Sequence, residues 1–128
     1  LTAIADGKTP ASSADNSQPS WNSLEQKGKA QWVEIGLKKP TSIQSISIYW
    51  SDNGSDMLIP ASWNLEYMEG SEWKEFPLYT TDSYGLFKDQ FNMVHVSRPI
   101  TTEKFRINIR PQKDMAVGIA EVVVEEGK

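Results

Sequence analysis

The groups able to do chemistry in this chain of 128 residues are few. There is no cysteine, which excludes thiolate nucleophiles, thiolate metal sites and disulfides. The single histidine, His95, alternates with Val94 and Val96. A general base or metal ligand comes with partners on its own face, so a solvated strand position suits His95 better. Glycoside hydrolysis takes two carboxylates about 5 to 10 Å apart across a cleft. The 17 acidic residues fall at no recognisable motif that would pair two of them in that way. Asp52-Asn53-Gly54-Ser55-Asp56 invites a calcium reading, but an EF-hand needs Gly at its sixth position and Glu at its twelfth. Met57 and Trp63 stand there, so the segment is an inter-strand loop with Asn53-Gly54 as its turn. What remains is recognition rather than reaction.

Recognition by a neutral surface uses aromatic rings, and the chain has five tryptophans. Trp32, Trp50, Trp63 and Trp73 fall at strand positions, where packing between sheets is the expected use. Trp21 precedes the first long strand in an irregular segment and serves either as a core plug or as a binding platform. Met57-Leu58-Ile59 is either an apolar spike or a segment folding back toward Trp63. Spikes that enter lipid work beside basic residues, whereas Asp52 and Asp56 flank this one, so the fold-back is expected. The net charge of −4, the pI near 5.0 and the lack of a Lys/Arg cluster argue against nucleic acid and anionic membranes. No apolar stretch approaches the roughly 18 residues that cross a bilayer.

Period-2 alternation supplies the elements that would hold such a surface. Ile46, Ile48 and Trp50 share one face against Ser47 and Tyr49. Trp63, Leu65 and Tyr67 repeat the pattern, and Phe105, Ile107 and Ile109 alternate with Arg106, Asn108 and Arg110. Each run predicts an antiparallel strand with one wet face. Shorter candidates are Trp32 to Leu37, Trp73 to Phe76, Met93 to Ser97 and Gly118 to Glu125. Turn signals separate them at Lys39-Pro40, Asn53-Gly54, Glu69-Gly70-Ser71, Arg98-Pro99 and Arg110-Pro111. Seven or eight short strands without a helical stripe predict an all-β sandwich or barrel, as one domain over residues 1–128. The opening residue is Leu1 rather than Met, which points to a processed protein or a fragment of a larger one.

Several local patterns occur in a telling order: Ala5-Asp6-Gly7, Ser20-Trp21, Gln31-Trp32-Val33-Glu34-Ile35, Ile43 to Trp50, Trp63 to Tyr67, Glu69-Gly70-Ser71-Glu72-Trp73 and Gly118-Ile119-Ala120-Glu121-Val122. In that order they resemble the discoidin, or coagulation factor five/eight type C, superfamily over nearly the whole chain. The resemblance extends to accessory domains of bacterial glycoside hydrolases of the β-L-arabinofuranosidase type. Asp6 to Ser13 and Tyr84-Gly85 before Asp89-Gln90-Phe91-Asn92 carry that part of it.

The resemblance implies an eight-stranded jelly-roll β-sandwich of the galactose-binding kind. It implies a non-catalytic carbohydrate-binding module of a secreted, periplasmic or cell-surface glycan-degrading protein. The alternative is a module that braces its parent catalytic domain without binding glycan. It also implies one structural Ca²⁺ held by Asp6 and Glu121 with carbonyls near Ala5 and Ala120, a donor set of hard oxygens. The plain alternative is that Asp6 caps a turn and Glu121 is a satisfied polar residue at a strand end. Sugar-binding members use loops at one end of the sandwich, where an aromatic ring stacks and polar side chains reach hydroxyls. By that rule the ligand-binding candidates are Trp21 and Asn22, Tyr84 and Lys88, Arg110, and the loop Gln112-Lys113-Asp114.

Overall fold

The computed structural model of the protein describes residues 21–23, 28–79 and 84–126, with only the backbone at Trp21, Asn22 and Lys38. Six strands run in chain order: β1 (Trp21–Asn22), β2 (Gln31–Ser51), β3 (Ser62–Glu69), β4 (Glu72–Glu75), β5 (Phe91–Arg110) and β6 (Gly118–Glu126). All pairings between them are antiparallel, in the order β1-β6-β2-β5-β3-β4.

Two strands are far longer than the alternation predicts. Trp32 to Leu37 and Ile46 to Trp50 are two halves of β2, and Met93 to Ser97 and Phe105 to Arg110 are two halves of β5. Lys39-Pro40 and Arg98-Pro99 mark bends rather than strand ends. The β2–β5 register breaks between Gly36 and Thr41 and again between Ile43 and Ser45. Proline has no N–H for the ladder, so it collects where pairing lapses. The expected segments plus β1 therefore account for eight stretches of strand threaded into six.

The bent ribbon makes two layers. The first half of β2 and the second half of β5 lie beside β3 and β4. The second half of β2 and the first half of β5 lie beside β6 and β1, with Leu78 bridging Val96. One apolar cluster takes Val33, Leu65, Phe105 and Ile107 from the first layer and Ile46, Ile48, Val94 and Ile119 from the second. Trp50 and Trp63 meet edge-on across the layers at 5.4 Å, so both ends of the ribbon come together at one end of the sandwich. Phe105, Ile107 and Ile109 are buried and Arg106, Asn108 and Arg110 turn outward, the register that alternation predicts.

The second half of β2 departs from the one-wet-face rule. Ser45, Ser47, Tyr49 and Ser51 are buried as well as Ile46, Ile48 and Trp50. Tyr49 packs edge-on against Phe91 at 5.2 Å. Small serines and one ring let this outer face be covered as closely as the inner one. At the far end of β3, Gly70 takes φ 62° in a two-residue hairpin loop closed by Glu69 and Glu72.

Candidate functional site

The outer face of the first layer is a grid set by strand register. Trp32, Asn108 and Asn64 form one row, because Trp32 pairs with Asn108 and Asn108 with Asn64. The next row is Glu34, Arg106, Glu66 and Glu75. Trp73, opposite Met68 on β4, stands on the same side. Val33 and Ile35 point inward, so alternation drives Trp32 and Glu34 outward. Trp32 is accordingly 60% exposed, and Trp73 is half-buried. The expectation that all four strand tryptophans serve the core holds for Trp50 and Trp63 and fails for these two.

Arg106 organises the middle of the face. Its Nε and Nη2 donate to Glu66 Oε1 at 2.8 and 2.7 Å, and Asn108 Nδ2 donates to the same oxygen at 2.6 Å. Its guanidinium lies 4.4 Å from the Trp73 ring centroid and 6.0 Å from that of Trp32. Burial pushes the Glu66 carboxyl up, but the bonds from Arg106 and Asn108 and the charge of Arg106 outweigh it and hold the pKa below the ordinary value.

Where this face meets the end of the sandwich there is an open cleft of about 350 Å³. Gln31, Trp32, Asn64, Asn108 and Arg110 supply its ring and polar groups. Asn64 Oδ1 is buried and accepts no hydrogen bond from the described residues. Arg110 is exposed and its guanidinium pairs with no carboxylate among the described residues. A second cleft, near Pro40, Gly70 and Thr102, has no aromatic ring in its lining.

The expected ligand-binding residues are not all brought together. Arg110 lies in the cleft. Trp21 belongs to β1, paired with Ile119 of β6, rather than to an irregular segment. The Trp21 and Asn22 side chains lie outside the described residues. Tyr84 is half-buried against Trp63, with ring centroids 4.9 Å apart, so its ring serves packing rather than display. Burial pushes its phenol pKa up to about 12. Lys88 sits 3.5 Å from Asp52 Oδ1. Asp52 is itself buried, accepting from the N–H groups of Gly54 and Ile59. Gln112 Nε2 donates to Ile59 O, and Asp114 takes φ 59° in the turn that follows.

The segment after Tyr84 is built tightly. Trp63 Nε1 donates to Gly85 O at 2.8 Å, and Asn92 both accepts from Phe87 N–H and donates to Phe87 O. A Cβ on Gly85 would come 2.9 Å from Asn92 Oδ1, so any other residue there would have to push the clamp aside. The clamped loop displays Leu86 and Phe87, the latter 62% exposed. Met57 to Ile59 folds back as expected: Leu58 N–H donates to Ala116 O and Ile59 packs against the core. His95 is exposed on β5.

Of the expected metal pair, Asp6 lies outside the described residues. Glu121 is 1% exposed on β6, where its Oε1 accepts from the N–H of Val122. Among the described residues no three carboxylate or imidazole side chains gather as a metal site.

A sequence profile of the F5/8 type C domain matches residues 2–122. The chain belongs to this family. The discoidin-like resemblance is thereby borne out. No curated protein matches this F5/8 type C domain significantly in sequence. Solved structures share its fold. A structure of the Streptococcus pneumoniae beta-galactosidase BgaA has 14% identity and a TM-score of 0.74, over 94% of this chain and 82% of that one. The family 32 carbohydrate-binding module of Clostridium perfringens NanJ, solved with galactose, has 20% identity and a TM-score of 0.63, over 94% and 88%. The chitosan-binding module 1 of a Paenibacillus chitosanase/glucanase has 15% identity and a TM-score of 0.66, over 97% and 83%.

Proposed function

We propose that this F5/8 type C domain is a non-catalytic carbohydrate-recognition module of an extracellular or cell-surface glycan-active protein, and that the Trp32 cleft is where it holds sugar. The observation that carries this reading is the Trp32 ring, 60% exposed beside Asn64, Asn108 and Arg110 in an open cleft. A flat ring left mostly in water at the mouth of a cleft costs solvation, and its one described cation–π contact, with Arg106, is long at 6.0 Å. It suits the apolar face of a sugar, with amides and a guanidinium placed for its hydroxyls. The likeness to modules solved with galactose and named for chitosan supports the ligand class. The origin of the chitosan-binding module in a chitosanase/glucanase supports a parent catalytic domain. Titration calorimetry of the wild type and Trp32→Ala against a panel of glycan fragments tests the reading. The variant is expected to lose about 1 to 3 kcal/mol of binding, by analogy with bases stacked on aromatic rings. Unchanged affinity in a folded Trp32→Ala protein overturns the assignment of the cleft.

The bracing alternative draws on the clamped loop, since Leu86 and Phe87 are exposed and the Phe87 backbone is tied to Asn92. Absence of binding to every glycan in the panel favours that reading. The calcium site stays within the same proposal. The Glu121 carboxylate and the Ala120 carbonyl are hard oxygens of the kind that Ca²⁺ takes. Asp6 would be the second carboxylate. If so, chelator lowers the melting temperature and calcium restores it, by mass action on the folded state.

A further inference from the structure

We infer that the Trp32 cleft selects sugars that carry a carboxylate, and that Arg110 is the residue that selects them; this rests on the cleft being the sugar site. Two arginines stand on the outer face of β5, and their surroundings are opposite. Arg106 lies between Glu34 and Glu66 and spends its fork on Glu66 at 2.7 and 2.8 Å. Arg110, four residues along, pairs in register with Ser62 of β3, and Ala30 lines the cleft beside it. Neither neighbour has a charge to offer it. Among the described residues the cleft lining contains Arg110 and no Asp or Glu, in a chain of net charge −4. Nearby, Asp114 packs against Gly28, outside the lining.

The row beneath Arg110 supplies the rest of such a site. Trp32 offers a face for the pyranose ring, and Gln31, Asn64 and Asn108 line the cleft beside it with amides. A guanidinium presents two parallel N–H groups that match a carboxylate, a geometry that a neutral sugar does not use fully. Burying a charged fork against a neutral ligand also leaves its charge uncompensated, so the cleft discriminates in both directions.

The test is titration calorimetry with two acidic probes, trigalacturonate and sialyllactose, each beside its neutral counterpart, methyl-esterified trigalacturonate and lactose. The two acids separate an in-chain uronate from a terminal sialic acid. At least one acid is expected to bind about tenfold or more tightly than its counterpart, since charge-assisted hydrogen bonds are roughly twice as strong as neutral ones. That preference is expected to shrink with added salt and to vanish in Arg110→Gln, whose fold is checked by its melting curve. Equal affinity for acid and neutral partner, or a preference that survives Arg110→Gln, overturns the inference while the sugar site stands. If none of the four probes nor any other glycan binds, the sugar site itself fails and the inference falls with it.

Discussion

Removing the Glu66 carboxylate should release the outer face of the first layer, and the cost can be worked from its surroundings. Glu66 Oε1 accepts three bonds, two from Arg106 and one from Asn108. The side chains of Glu66 and Arg106 are 21% and 25% exposed, so the pair is neither a surface ion pair nor a core one. Surface pairs contribute about 0 to 1 kcal/mol, and breaking a buried one costs about 3 to 5. Glu66→Ala is therefore expected to cost about 2 kcal/mol, most of it from the guanidinium left beside Trp73 without its counter-charge. For a domain of this size that is a fall of about 8 °C in melting temperature, taking roughly 4 °C per kcal/mol. The pH dependence has a definite sign. The folded pKa of Glu66 is depressed, so its stabilisation is full above the unfolded carboxylate value near ~4.3 and is lost as pH falls through the folded pKa. Thermal melts of wild type, Glu66→Ala, Arg106→Met and the double variant, at neutral pH and near pH ~3, close the cycle. Single-variant losses that simply add would refute a coupled clamp. So would a wild-type acid sensitivity that Glu66→Ala leaves unchanged.

Gly85→Ala places a methyl group against Asn92 Oδ1 and should cost about 1 to 3 kcal/mol, with faster proteolysis around Phe87 as the second readout. Leu65→Ala empties a site at 0% exposure and should destabilise by about 2 to 5 kcal/mol in urea unfolding. In spectrophotometric titration Tyr84 should ionise near 12, above the ordinary phenol value. Its raised pKa means that the associated stability is present below the ordinary phenol value and is lost as pH climbs through the folded one. A Tyr84→Phe protein with an unchanged titration curve would contradict that assignment.

The inward faces were legible from alternation alone, and Phe105, Ile107 and Ile109 show why: each odd position is apolar and each even one polar. The same rule, applied without favour to large rings, places Trp32 with Glu34 and opposite Val33 and Ile35. Treating tryptophan as a core residue overrode a period that was already in the sequence. Trp73 had no such signal, because a four-residue strand fixes its facing only through its partner Met68. Arg110 was found from its strand end, but Asn64 and Asn108 were missed. What brings them into the candidate cleft is their alignment with Trp32 across three strands, which no local pattern encodes. The packing of Tyr84 was hidden for the same reason, since it depends on Trp63, far away along the chain.

The bent β2–β5 ribbon has a kinetic consequence. Gln31 pairs with Ile109 and Tyr49 with Phe91, so the central ladder joins residues that begin far apart along the chain. Closing it costs loop entropy before any contact repays it, which places folding in the slow, millisecond-to-second range of non-local β topologies. Once closed, neither layer can melt alone, because each contains half of the same two strands. Unfolding is then expected to be a single all-or-none event with a high barrier. Under tension such a domain is expected to yield abruptly, not by degrees.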